Sequence, residues 1–149
     1  MESNKLSQDL RNKVEGFLKE MSSSYELFDS GYKIREGSTV VFIKPIEWTD
    51  SSTILRLIAV VLTNVTKTGN EAMFEELSQL NNKFLFGKIY WNPENAENPD
   101  KGSILLEHNF IGEHLNYEQF SSGVAALALS ADDIDDKLQL KYGGDRWID

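Results

Sequence analysis

No cysteine occurs in this chain of 149 residues. That excludes disulfides, thiolate metal sites and cysteine nucleophiles together, and it fits a reducing, cytoplasmic setting. Basic residues are few, 15 Lys and Arg against 24 Asp and Glu, for a formal charge of −9. Phosphate backbones and anionic membrane surfaces repel such a chain, so nucleic acid and membrane are poor partners. The charge suits solubility and a protein that holds a sticky or basic partner. Long apolar runs are missing too. The most apolar stretch, "ILRLIAVVL", carries Arg56 and is far short of the ~20 residues of a membrane helix. The first residues, "MESNKLSQDLRNKVEG", are polar and do not read as a secretory leader. No Gly-x-Gly-x-x-Gly or Walker loop and no Gly-x-Ser-x-Gly elbow occurs, so nucleotide binding and serine hydrolysis have no sequence warrant.

What remains is patterning. Composition, 40% hydrophobic and 26% charged, is that of a folded protein, and the length suits one domain over residues 1–149. Leu6, Leu10, Val14, Phe17, Leu18 and Met21 recur at helical spacing, and "SSS" ends that helix. Tyr25 to Ile46 then alternates with period two, predicting a strand and a hairpin turned at Gly37. Pro45, without an amide donor, belongs at an edge or bulge. "STILRLIAVVLTNVT" reads as a strand buried on both faces over Ile58–Leu62. Asn70 is positioned to cap a helix with Met73, Phe74, Leu77 and Leu80 on its buried face. "FLFGKIYW" and "SILLEHNFIGE" read as two further strands. Asn116 and Gln119 have capping-box spacing for a helix starting at Tyr117. Ser130 with Asp133 signals a separate short helix ending at Gly143 and Gly144.

Both histidines, His108 and His114, follow a glutamate, which raises the question of a metal site. Six residues apart, they would be rotated ~240° on a helix or lie ~20 Å apart on a strand. Zinc helices instead use i and i+4. His108 therefore reads as a strand residue, and His114 as part of the turn before the next helix. "SADDIDD" lacks the glycine of a calcium loop and reads as the acidic start of a helix, favoured by the macrodipole. No catalytic, metal or cofactor-binding residue is assigned. Met73, Phe74, Phe86, Tyr90 and Trp91 are the candidate interface, because interface cores favour aromatic residues and Met.

"LSQLNNKFLFGKIYW", "GSILLEHNFIGEHLNYEQF" and "LSADDIDDKLQLKYGG" together resemble the type III secretion chaperone-like fold, and within it the YbjN-type family of sensory transduction regulators. The resemblance runs from about Ser22 to Gly144. It implies an α+β domain in the order α-β-β-β-α-β-β-α, with helices on a twisted, mainly antiparallel sheet. It also implies a homodimer that holds a segment of a client protein and carries no catalytic residues. A non-enzymatic protein-binding module, chaperone-like or regulatory, is the leading expectation. A small-ligand carrier or sensor, with helices closing over a curved sheet, is the alternative, and an enzyme using a carboxylate pair comes third.

Overall fold

Leu10, Val14 and Leu18 lie four residues apart and stack on one side of a helix. In the computed structural model, which describes residues 2–28, 31–84 and 86–147, they form the buried stripe of α1 (Glu2–Glu20). The helix stops where Ser22 turns left-handed, φ 58°, and Ser23 donates its amide to the Leu18 carbonyl at 3.0 Å.

The first block of extended chain resolves into β1 (Tyr25–Phe28), β2 (Gly31–Glu36), β3 (Thr39–Thr49) and β4 (Ser52–Thr66). Gly37 makes the β2–β3 turn at φ 62°. β2 pairs with β3 only as far as Tyr32↔Ile43, so Pro45 sits past that ladder, at a local edge. After α2 (Ala72–Lys83) come β5 (Lys88–Pro93), β6 (Lys101–Ile111), a 3₁₀ turn at Gly112–His114 and α3 (Tyr117–Tyr142). The blocks keep the expected order of an α+β fold, the first with four strands rather than three. All strand pairs are antiparallel, and the sheet order is β1-β2-β3-β4-β6-β5.

Three local expectations change. Asn70 does not cap α2 with its side chain. It donates that amide to the carbonyls of Thr66 and Tyr142, while its own carbonyl takes the Met73 amide. The aromatic run is not one strand either. Phe84 terminates α2, Phe86 precedes a turn at Gly87, φ 86°, and Leu85 lies outside the described residues. Finally, Ser130 starts no new helix. Ala128, Ala131 and Leu138 continue the buried stripe of Phe120, Val124 and Leu127, so α3 runs unbroken through the aspartates. Burial of a continuous stripe outweighs a local capping signal.

All three helices lie on one side of the sheet. Leu10 and Val14 from α1, Met73 and Leu77 from α2 and the α3 stripe pack with Tyr32, Val41, Ile43, Leu55, Leu57, Ile89, Ile104 and Leu106 in one core. Within it the Tyr32 hydroxyl donates to Glu15 Oε1 of α1 at 2.9 Å. Burial, then the Glu15 carboxylate, raises its pKa to about 12. The neutral phenol is the form the fold keeps, so this stability is whole below pH 10 and is lost as pH rises toward 12. Tyr32→Phe is expected to cost about 1 kcal/mol at neutral pH and to flatten that alkaline loss, read by urea melts at each pH. An alkaline limb as steep as the parent's would show that another group causes it.

Candidate functional site

Strand side chains alternate between faces, so a sheet with its helices on one side leaves the other uncovered. On that open face the strands align in rows. Ile46, Ile54 and Ile111 form one row, and Lys44, Arg56 and Asn109 the next. Lys33, Phe42, Ile58, Glu107 and Lys88 form a third, and Val60, Leu105 and Tyr90 a fourth. Ile58 and Val60 are buried yet stand apart from the helix-side core.

Their cover comes from the end of α3. Gly143 and Gly144, at φ 76° and 85°, turn the chain around the sheet, a path barred to L side chains at little cost. A Cβ on Gly144 would also lie 2.7 Å from the Thr63 carbonyl oxygen. Asp145 then exchanges backbone hydrogen bonds with Thr63, 2.7 and 2.8 Å. Arg146 reaches back to Asp135 at 3.3 Å and to Asp136. Trp147 lands on the open face, edge-on to Phe42 at 5.8 Å, with the Lys33 ammonium 5.8 Å from its ring centre. Three hollows meet at Trp147. The apolar one, about 290 Å³, is lined by Phe28, Phe42, Ile58, Val60, Leu105 and Pro93 together with Lys44. Two more polar ones, about 450 and 480 Å³, lie beside Asn64 and Arg35.

Glu107 is the charged centre of the face, only 4% exposed. Its carboxylate accepts from the Tyr90 hydroxyl at 2.8 Å and from Asn109 at 3.0 Å. It also pairs with Lys88 at 3.2 Å and Arg56 at 3.4 Å. Burial pushes its pKa up, but the hydrogen bonds and the two cations outweigh that and hold it below the usual carboxylate range. Burial and the same carboxylate push the Tyr90 phenol well up.

The candidate interface residues do not gather. Met73 is fully buried, a correction that follows from its place on the core face of α2. Phe74 is 40% exposed and rests edge-on against Trp91, 5.8 Å between rings. Trp91 faces the helices and donates its indole N–H to the Val65 carbonyl. Tyr90, next to it, points to the open face. Phe86 stacks on His108 at 3.8 Å, on the helix side, where burial lowers the imidazole pKa.

His114 lies in the 3₁₀ turn. Glu113 of that turn accepts from the Thr53 amide and hydroxyl, and Lys13 of α1 donates to the Gly112 carbonyl at 3.0 Å. The Glu-His stretch is thus a strand-to-helix junction tied to α1. Among the described residues no three His, Asp or Glu side chains gather to hold a metal, and no helix is long and apolar enough to cross a membrane. The aspartates are not a helix start. Asp132 accepts from the Ser38 hydroxyl at 2.6 Å, and Asp135 and Asp136 hold Arg146. Phe42, Ile58, Val60, Leu105 and Trp147 were not singled out by sequence. The doubly apolar run Ile58–Leu62 was the one signal that a second face is apolar.

No curated protein matches the chain. Solved structures that share its fold include two crystal structures. YbjN from E. coli aligns with a TM-score of 0.62 at 13% identity, over 87% of this chain and 90% of that one. An uncharacterized protein from Methanothermobacter thermautotrophicus aligns with a TM-score of 0.56 at 14% identity, over 90% of this chain and 99% of that one. The model of one family, the T3SS (YopN, CesT) and YbjN peptide-binding chaperone 1, matches residues 8–149, and the chain belongs to that family.

Proposed function

We propose that this protein is a non-enzymatic, chaperone-like module of the cytoplasm that works as a homodimer and seats an extended apolar segment of a client protein on its open sheet face. The observation that carries this reading is the apolar hollow of Phe42, Ile58, Val60 and Leu105 on a face without helices. At about 290 Å³ it has room for a side chain or two, at the low end of what a cofactor-sized ligand needs. Fully buried Leu57, Leu106, Phe120 and Leu127 fill the space between helices and sheet where a ligand carrier would need its cavity. The titrating groups at the centre of the face do not suit proton transfer, since Glu107 is held low and Tyr90 high, both away from neutrality.

Peptides selected by phage display on the immobilised protein, titrated by fluorescence anisotropy, test the site. Phe42→Ser with Val60→Ser is expected to weaken them tenfold or more. Leu129→Ser, on exposed α3 surface, is expected to leave them unchanged. Circular dichroism checks that the variants fold, and sedimentation gives the oligomeric state. Peptides that bind the double variant as well as the parent would place the site elsewhere, and a failure to select any would remove the peptide-binding reading.

A further inference from the structure

We infer that the client segment is acidic as well as apolar, with Asp or Glu two residues from each apolar anchor; this rests on the open face being the peptide site. The net charge of −9 suggests a basic partner, but among the described residues the middle rows of the open face hold more cations than anions, Lys44, Arg56 and Lys88 against Glu107. Lys33 stands opposite Glu26, and at the end of the face Lys101 sits opposite Glu94, which also lines the hollow. Glu26 is taken up by Lys33 at 3.0 Å, and Glu107 is shared by Arg56 and Lys88. Lys44 and Arg56 are register partners across β3 and β4, and like charges placed directly opposite each other cost stability. Among the described residues no carboxylate pairs with Lys44. Its ammonium lies 5.9 Å from the Phe28 ring centre, at the rim of the apolar hollow.

The spacing of the rows sets the pattern. Lys44 and Arg56 lie between the isoleucine row and the row of Phe42 and Ile58. Alternate residues of a strand are ~7 Å apart, as are alternate side chains of an extended ligand. A segment lying along the strands with an apolar residue over Phe42 and Ile58 therefore brings its residue two positions on over Lys44 and Arg56. A carboxylate there meets two cations; a lysine there would add a third. The many acids elsewhere act weakly at this distance, because salt screens exposed charges beyond ~8 Å.

The test uses three synthetic versions of a display-selected peptide, with Asp, Asn or Lys at the positions between its apolar anchors. Against the parent protein the Asp version is expected to bind at least tenfold tighter than the Lys version and to weaken as salt rises. Lys44→Glu is expected to erase or reverse that order, and Lys44→Gln to reduce it. Equal binding of all three peptides, with Phe42→Ser still weakening each, would overturn the acidic preference and leave the peptide site standing. Binding of none would remove both. Displacement of the Asp peptide by a single-stranded oligonucleotide of equal charge would also overturn it, by making the face a general polyanion surface.

Discussion

Phe120→Ala is expected to lower the unfolding free energy by about 3–5 kcal/mol. Phe120 is fully buried in the first turn of α3, just after the cap in which Asn116 Oδ1 accepts the Gln119 amide at 2.8 Å. Its ring lies 5.4 Å from that of Phe17 on α1, so it joins two helices and the sheet beneath them. The void would be slow to close. One turn further on, Gly123 already brings the helix against Phe110, where an added Cβ would stand 2.7 Å from the ring. The helix therefore cannot sink further into the space, and the cavity cost stays high. Urea unfolding should show a lower midpoint with unchanged slope, and the melting temperature should fall by roughly 10 °C. Phe74→Ala, at a partly exposed ring, is expected to cost about 1 kcal/mol or less. A Phe120 loss as small as that would mean that α1 and α3 are held together by something else.

Glu107→Ala is expected to cost about 2–3 kcal/mol. The substitution strands four partners at once, Tyr90, Asn109, Lys88 and Arg56. Lys88 and Arg56 keep contact with solvent, at 61% and 40% side-chain exposure, so water recovers part of their loss. Tyr90 and Asn109 lose charge-assisted bonds. Glu107→Gln separates charge from shape, since it keeps the acceptor oxygen and removes the anion. Because the folded carboxyl titrates below its ordinary value, its contribution is present above that value and disappears as pH falls through the folded one. Stability measured from pH 7 downward should decline less steeply in Glu107→Gln than in the parent. Two parallel acid limbs would show that other carboxylates govern acid unfolding.

The parts of this fold legible in the sequence are those whose cause is local. Asn116 and Gln119 announce the start of α3 because both partners of the cap lie within four residues. Gly37 marks a chain turn for the same reason. Ser130 and Asp133 show the converse: the same local signal yields when Ala131 and Leu138 have a core to join. The open face was harder to read. β4 is apolar on both sides, and which side meets solvent depends on where three distant helices land. Trp147 is a similar case, since a tryptophan near Gly143–Gly144 carries no sign that it folds back on Phe42. Tyr90 and Trp91 are different. Strand alternation alone puts neighbours on opposite faces, so Tyr90 reaches Glu107 while Trp91 turns to Val65.

The sheet order β1-β2-β3-β4-β6-β5 also bears on how the molecule assembles. β2, β3 and β4 follow one another through tight turns, and such contacts close quickly. β6 must instead enter between β4 and β5, bringing Ile111 to Ile54 across the whole of α2 and β5, an entropically slower closure. Until it arrives β5 has no strand to pair with, because its ladder is with β6. Leu105 and Glu107 arrive with the same strand. The open face, to which both residues belong, is thus complete only once β6 is in place.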